Sequence, residues 1–380
     1  MHINDLLKIA SERKASDLHL KVGSHPVLRI NGELLPLVET KRLMQEDTIA
    51  MAFSIMSNRQ KQKFKDNLEI DIAYSVPGLG RFRCNVFQQR GTVGLVLRVI
   101  PVKIMTVREL GLPMVLEKIA QEQRGLILCT GTTGSGKSTS LAAMIDYINS
   151  QRTEHIITIE DPIEFLHRDK KSIVNQREVE VDTRSFAAAL RSALRQDPDV
   201  ILVGEMRDGE TAQIGMRAAM TGHLVLSTLH TRDTAGTLFR LVDMGVPKYM
   251  VASSVQVVLA QRLIRRICES CGEPYTPTPQ EAEWLEHAGL LSNDWGTLLR
   301  GRGCSHCNGT GYRGRMGVYE MLEMNKVLVD AAAHHDSTHF MQAAREYMQG
   351  RTLIDQALVQ MKLGRTTVAE VMSVSSQRED

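Results

Sequence analysis

The chain has 380 residues, of which 43% are hydrophobic and 24% are charged, and its formal net charge is +2. This ordinary composition excludes an intrinsically disordered or collagen-like chain, and the length predicts two or three domains. The near balance of 46 basic and 44 acidic residues argues against a nucleic-acid-binding protein. No apolar run approaches the ~18 residues of a membrane span, and the polar segment 1–15 lacks a signal-peptide core. We therefore expect a cytoplasmic chain with reduced thiols.

The first hundred residues predict a separate α+β domain, residues 1–100. Asn31-Gly32 predicts a hairpin turn, and residues 45–64 have helical character. Short segments that alternate apolar and polar residues predict strands, at 17–22, 27–30, 70–75, 81–88 and 93–99. A linker is expected over residues 101–113.

From residue 114 to residue 380 the pattern changes to alternating strands and helices. Such alternation predicts a largely parallel sheet with helices on both faces. The region after residue 330 is expected to be helical. The predicted strands are 125–130, 156–159, 200–203 and 223–228, and the predicted helices between them are 137–149, 185–195 and 209–220.

Residues 131–138 read G-T-T-G-S-G-K-S and match the phosphate-loop pattern G-x-x-x-x-G-K-[ST] between a predicted strand and a predicted helix. Its glycines allow successive N–H groups to face one anion, and the helix adds the positive end of its dipole. Lys137 is expected to reach the β- and γ-phosphates of ATP, and Ser138 to hold Mg²⁺. The predicted nucleotide-binding residues are Gly131, Thr132, Thr133, Gly134, Ser135, Gly136, Lys137, Ser138 and Thr139.

Two acidic segments follow predicted strands downstream of this loop. Glu205 comes after the apolar strand 200–203, where a carboxylate can organise Mg²⁺ through water. Glu160, Asp161 and Glu164 place three carboxylates within five positions, and one of them is suited to orient or deprotonate the attacking water. Any one of these residues alone is equally compatible with a solvated loop charge, but their shared position favours catalysis. We take Glu164 and Glu205 as the candidate catalytic carboxylates.

Histidines and arginines supply further candidates. His223 and His230 flank the strand after helix 209–220, and spacing does not separate a structural role from sensing of the γ-phosphate; we include His230 among the catalytic candidates. Arg81, Arg83 and Arg98 lie on predicted strands of the N-terminal domain. The ordinary interpretation is a solvated strand face, and the alternative is contact with a transferred phosphoryl group across a domain or subunit boundary. The basic segment 261–266 suggests a surface or a subunit contact.

Four of the six cysteines form two C-x-x-C pairs with 32 residues between them. Two such pairs supply four thiolates for a tetrahedral Zn²⁺, and a predicted helix that begins after Thr278 accounts for the long spacer. A redox dithiol is the alternative, but it needs only one pair. Cys84 and Cys129 lie in predicted strands as inert core thiols. The predicted zinc ligands, in the element 268–307, are Cys268, Cys271, Cys304 and Cys307.

The order of these motifs resembles the secretion ATPase superfamily that drives type II secretion and type IV pili. The resemblance implies a PAS-like N-terminal domain joined to a RecA-like core, a homohexameric ring, and a cytoplasmic motor docked on an inner-membrane platform protein. It also implies that the N-terminal domain carries its arginines over the nucleotide. The stretches that carry it are A-S-D-L-H-L at 15–20, the phosphate loop, an "aspartate box" at 159–164, a Walker B segment at 197–205 and a "histidine box" from 221 to 231.

Within this family, some features of the sequence resemble one branch and others resemble another. The cysteine pairs and segment 313–320 resemble the assembly and secretion ATPases, whereas the short N-terminal region resembles the retraction ATPases. The A-I-R-N-L-I-R-E motif of many retraction enzymes is absent, and residues 323–330 read E-M-N-K-V-L-V-D. We therefore predict an ATP-hydrolysing motor for pilus assembly or type II secretion, with Mg²⁺ and Zn²⁺. The alternatives are a pilus retraction ATPase, which powers twitching motility, and a weakly hydrolysing regulatory ring subunit.

Overall fold

A computed structural model of the chain describes residues 2–30, 33–100, 103–333 and 337–376. Contacts divide them into an N-terminal unit, residues 1–104 with 164–166, and a C-terminal unit, residues 105–163 with 167–380. The predicted hairpin turn at Asn31-Gly32 and the beginning of the predicted linker at 101–102 lie outside the described residues.

The N-terminal unit is built on an antiparallel sheet with the strand order β3-β2-β1-β6-β5-β4. Alternating buried and less buried residues distinguish the two faces of this sheet. In β5, Phe82, Cys84 and Val86 are buried, while the residues between them point to the other face. The strands are β1 (Asp17–Leu20), β2 (Val27–Ile30), β3 (Glu33–Pro36), β4 (Glu69–Val76), β5 (Gly80–Gln89) and β6 (Thr92–Ile100), and the helices are α1 (Ile3–Glu12), α2 (Gln45–Ser54) and α3 (Asn58–Asn67).

Three features of this unit differ from the sequence prediction, and the first is strand β3, which was not predicted. The predicted helix 45–64 is two helices, because Ser57 caps a new one by accepting a hydrogen bond from the Gln60 N–H. Helix α1 was not predicted, although its buried residues follow helical spacing. They are Ile3, Leu6, Leu7 and Ala10.

The C-terminal unit contains a seven-stranded sheet with the order β15-β12-β7-β11-β10-β8-β9. All neighbouring strands run parallel except β12 and β15, which are antiparallel. Three strands of this sheet, β9, β12 and β15, were not predicted from the sequence, and β9 is the partly exposed edge. The strands are β7 (Gly125–Thr130), β8 (His155–Glu160), β9 (Ile173–Glu178), β10 (Val200–Val203), β11 (Leu224–Leu229), β12 (Val255–Ile267) and β15 (Tyr312–Glu323); a separate antiparallel pair is β13 (Gly272–Pro274) and β14 (Leu299–Gly301).

Helices cover both faces of the large sheet. Leu126 and Leu128 of β7 pack with α6–α9, α11 and α12, whereas Ile127 and Cys129 pack with α4 and α5 on the opposite face. Among the described residues, no helix is long and apolar enough to cross a bilayer. The helices are α4 (Val115–Ile119), α5 (Lys137–Gln151), α6 (Phe186–Ala193), α7 (Gly209–Met220), α8 (Thr234–Asp243), α9 (Lys248–Ser254), α10 (Pro279–His287), α11 (Lys326–Ala333), α12 (Ser337–Met348), α13 (Leu353–Lys362) and α14 (Val368–Ser376).

The basic segment 261–266 forms only part of the surface predicted for it. It lies in β12, between β7 and β15, and both Gln261 and Arg262 are buried. The prediction of a surface is therefore correct for Arg265 and Arg266, which are exposed, and wrong for Gln261 and Arg262, whose side chains are hydrogen-bonded inside the unit. The alternative of a subunit contact stays a prediction.

Candidate functional site

The predicted phosphate loop joins β7 to α5, as the sequence indicated. Gly131, Gly134 and Gly136 have φ angles of 147°, 78° and 92°, which suit glycine. The Lys137 side chain is 8% exposed, and its Nζ donates to the carbonyl oxygens of Gly131 and Thr132 at 2.9 and 3.1 Å. The ammonium is therefore held over the loop in which phosphates bind. Ser138, in the first turn of α5, is exposed and available to a metal ion.

Three neighbouring strands bring polar side chains together beside this loop. Asp161 follows β8, Glu205 follows β10 and His230 follows β11, so all three lie at the carboxyl edge of the sheet. One Glu205 oxygen is 2.5 Å from Arg207 Nη2, and the other is 3.6 Å from His230 Nε2. Arg207 Nη1 also lies 3.8 Å from Asp161. Glu205 is thus the centre of a charged cluster.

The protonation of His230 depends on this cluster. Burial lowers its pKa below the usual value, and the nearby Lys137 ammonium lowers it further, while Glu205 opposes both effects. The imidazole is therefore predominantly neutral at neutral pH. The influence of Lys137 also shows that the phosphate loop and the Glu205 cluster share one electrostatic environment.

Hydrogen bonds fix the loop segments that carry these side chains. Thr228 Oγ1 donates to the Gly204 carbonyl at 2.7 Å, immediately before Glu205. The Thr231 N–H donates to Thr130 Oγ1 at 2.9 Å, which ties the residue after His230 to the last residue of β7. Thr231 is the last residue of the "histidine box" named from the sequence, but the sequence alone gave it no role.

The remaining catalytic candidates belong to the N-terminal unit. Glu164 falls in the short segment 164–166 of that unit, and the three arginines lie on β5 and β6. Arg98 Nε donates to Asp17 at 3.0 Å, Arg81 contacts Ser75 at 3.5 Å, and Arg83 is exposed. Their approach to the phosphate loop stays a prediction.

One residue that the sequence analysis overlooked supports the chain next to Glu164. Glu178, at the end of β9, is 3% exposed and accepts a hydrogen bond from the Ile163 N–H at 3.1 Å. A buried carboxylate bound to this N–H restrains the backbone just before the candidate base. Its sequence context, an edge strand rich in polar residues, gave no indication of burial.

The four predicted zinc ligands converge in the structure. All four Sγ atoms lie within 4.8 Å of one another. The Cys268–Cys304, Cys271–Cys307 and Cys304–Cys307 sulfur distances are 3.9, 3.8 and 3.7 Å. A tetrahedron with Zn–S bonds of about 2.3 Å has edges of about 3.8 Å, so the thiols fit zinc.

Backbone groups around these cysteines also suit bound thiolates. The N–H groups of Cys304 and Gly311 donate to Cys307 Sγ at 3.2 and 3.3 Å, which would stabilise negative charge on the sulfur. Gly303 has φ of 91°, and a Cβ there would lie 2.5 Å from the Gly309 carbonyl oxygen. The backbone at Gly303 therefore passes close to the backbone at Gly309, which brings the turn tightly around the four sulfur atoms.

Comparison with known proteins finds a matching family and similar relatives. A family model described as "Type II/IV secretion system protein" matches residues 1–373. The type IV pilus retraction ATPase PilT of Pseudomonas aeruginosa is 48% identical over 277 residues, 70% of this chain and 79% of that protein. Type II secretion system protein E of the same species is 35% identical over 395 residues, 99% of this chain and 75% of that protein.

A solved structure extends the similarity to the fold. A crystal structure of the pilus retraction motor PilT with bound ADP has a TM-score of 0.82 and 39% identity, and the match covers 98% of this chain and 97% of that one. The predicted fold class is thereby confirmed: an N-terminal antiparallel-sheet domain, a mixed, largely parallel core sheet and a four-cysteine cluster.

Proposed function

Because the chain belongs to the type II/IV secretion system protein family of ATPases, we propose that it is the ATP-hydrolysing motor of pilus retraction. The observation that carries this proposal is the 48% identity with PilT, against 35% with type II secretion protein E. The comparisons thus favour the retraction branch over the assembly or secretion branch that the sequence analysis preferred. The motor is proposed to act as a homohexamer docked on a platform protein at the inner membrane.

Type II secretion remains a second candidate because two observations favour it. The similarity to type II secretion protein E extends over 99% of this chain, whereas that to PilT of Pseudomonas aeruginosa covers 70%. The four-cysteine cluster, which the sequence analysis associated with assembly and secretion enzymes, is formed in the structure. Zinc there would supply a structural cross-link between segments near Cys268 and Cys304, not catalysis.

Hydrolysis is proposed to follow from the residues at the carboxyl edge of the sheet. Lys137 exchanges its two loop carbonyls for phosphate oxygens, and the N–H groups of the glycine loop bind the same anion. Mg²⁺, when bound, neutralises charge on the phosphates, with Ser138 and Glu205 as its protein partners. His230 Nε2 lies 3.6 Å from the Glu205 carboxylate and is proposed to restrict the position of that side chain. Glu164 is proposed to orient the attacking water.

Deleting the gene in the organism of origin separates the candidate functions. Loss of the retraction motor leaves surface pili abundant while twitching stops; loss of an assembly motor removes the pili; loss of a secretion motor leaves both unchanged and blocks export. Complementation with the wild-type gene and with Lys137→Ala tests whether the phenotype requires hydrolysis. The retraction proposal is rejected if the deletion strain still twitches.

A further inference from the structure

The phosphate loop packs against β12, and Gln261 is the residue that joins them. Its side chain is 2% exposed. Gln261 Nε2 donates to the Ser135 carbonyl oxygen at 2.6 Å, and Gln261 Oε1 accepts from Ser140 Oγ at 2.8 Å. One buried amide therefore holds the middle of the loop and the first turn of α5 at the same time.

Two loop glycines make this close packing feasible. A Cβ at Gly136 would lie 3.0 Å from Gln261 Nε2, and a Cβ at Gly131 would lie 2.6 Å from the Gln261 carbonyl oxygen. That same carbonyl accepts from Arg262 Nη1 at 2.9 Å, while Arg262 Nη2 donates to the Arg232 carbonyl at 2.8 Å. The strand beneath the loop is thus itself fixed, and Gln261 presents its amide from a rigid support.

The bond to Ser135 decides where a phosphate-binding donor points. The Ser135–Gly136 peptide is trans, and in a trans peptide the C=O and N–H groups point to opposite sides. Because the carbonyl faces Gln261, the Gly136 N–H points away from β12. N–H groups of the loop are the donors that bind phosphate, so the orientation of this peptide contributes to nucleotide affinity.

We propose that Gln261 is a positioning residue for nucleotide binding: it orients the Ser135–Gly136 peptide without touching the nucleotide. An amide suits both partners here, because its N–H group donates to the Ser135 carbonyl oxygen and its oxygen accepts from the Ser140 hydroxyl. This role rests on the ATPase activity of the family and is independent of the proposed part in retraction, so binding measurements on the purified protein test it separately.

Two substitutions remove the hydrogen bond between Gln261 and the Ser135 carbonyl in different ways. Gln261→Glu keeps the shape and can accept from Ser140, but it places an oxygen against the Ser135 carbonyl. Gln261→Met keeps the length and introduces no charge. For either variant we expect MgADP, measured by titration calorimetry, to bind about tenfold more weakly, the scale of one buried hydrogen bond. The KM for ATP should rise by a similar factor while kcat changes by less than about threefold.

Gln256→Glu is the matched control on the same strand. Gln256 Nε2 donates to the Arg124 carbonyl at 2.6 Å, next to Gly125 at the start of β7 and therefore at the opposite end of that strand from the loop. This variant should lower the melting temperature as Gln261→Glu does and leave MgADP affinity unchanged.

The proposal is overturned if folded Gln261 variants bind MgADP within twofold of the wild type, or if Gln256→Glu weakens binding as much. Should neither Gln261 variant fold, Gln261→Asn decides, since it keeps an amide at this position but shortens the side chain by one methylene, so that the amide no longer reaches the Ser135 carbonyl. Weaker MgADP binding by at least about threefold then supports the proposal, and unchanged affinity overturns it.

Discussion

At the scale of single residues, we expect phosphate binding to depend most directly on Lys137. Lys137→Ala removes the ammonium that the loop carbonyls of Gly131 and Thr132 hold in place. We expect ATP turnover to fall at least ~100-fold, the scale of one preorganised charge-stabilising donor. Phosphate release by the purified protein measures this. The control is Lys118→Ala, which changes an exposed lysine on α4. Near-wild-type turnover in Lys137→Ala would contradict the assigned site.

His167 gives the C-terminal unit an acid-sensitive side chain. Burial lowers its pKa to about 4, and its Nδ1 has no hydrogen-bond partner within the described part of the chain. Asp146 raises the pKa and Lys170 lowers it, but burial dominates. The folded protein therefore binds this proton less readily than the unfolded chain, whose histidine has a pKa of 6.5.

The sign of the pH dependence follows from that difference. The contribution of neutral His167 is fully present above pH 6.5, and it is lost as the pH falls from 6.5 toward 4. The total is up to about 3 kcal/mol of unfolding free energy. Urea unfolding at several pH values should show a shallower acid slope for His167→Leu than for the wild type, with His155→Leu as the control. Equal slopes in all three proteins would refute the assignment.

At the scale of elements, the predicted zinc site formed by the four clustered cysteines is the clearest target for a test. Purified protein should contain about one Zn²⁺ per chain, and Cys271→Ser should lower both metal content and melting temperature, because binding is coupled to local folding. Cys84→Ser changes a buried cysteine of β5, outside the cluster, and should leave zinc content unchanged. Freshly purified, reduced protein without zinc would defeat the prediction; elemental analysis gives the answer.

The elements also show why parts of the site could be predicted and others could not. The phosphate loop and the cysteine pairs are contiguous motifs whose spacing reflects local chemistry, so Lys137 and Cys268 were identified directly. Gln261 and Glu178 were not, because their burial depends on neighbouring elements distant in sequence. A polar residue in a predicted strand suggests a solvent-exposed position unless its hydrogen-bond partner is known. For Gln261, the hydrogen-bond partner is Ser135, which lies 126 positions away in the chain.

Helix α1 and strand β9 illustrate two further limits. The apolar spacing of α1 was present in the sequence, but the segment was assessed only as a signal peptide. Strand β9 pairs with β8 in parallel register, and its mixed exposure gives neither clean alternation nor a continuous apolar run. Edge strands of this kind are defined by the sheet they join.

At the scale of the whole molecule, we propose that the N-terminal unit supplies a cation for catalysis. The phosphate loop supplies Lys137 and backbone donors, whereas charge that develops on the transferred phosphoryl group is stabilised by further cations. In the C-terminal unit, Arg207 stays charged but is paired with Glu205 and Asp161, whose carboxylates offset that charge. Arginines of the N-terminal unit, acting within a ring that closes between subunits, are the candidates we propose.

Of these arginines, Arg83 offers the cleanest test. Arg98 is bound to Asp17, a nearly buried carboxylate of β1, so Arg98→Ala disturbs the folding of its own unit as well as any catalytic role. Arg81 contacts Ser75 across the β4–β5 pair. Arg83 is exposed on β5, opposite the buried face that holds Phe82 and Cys84, and its truncation leaves that packing intact.

Each arginine is therefore changed to alanine singly, with Arg59→Ala on α3 as an exposed control from the same unit. Light scattering checks assembly, MgADP titration checks binding, and phosphate release gives turnover. The proposal requires that at least one variant assembles and binds MgADP normally while its turnover falls by at least ~100-fold, the scale expected for loss of a cation that stabilises the transition state. We expect Arg83→Ala to be that variant. Turnover equal to that of Arg59→Ala in all three variants would mean that these arginines are solvated strand residues, and that the cation comes from elsewhere.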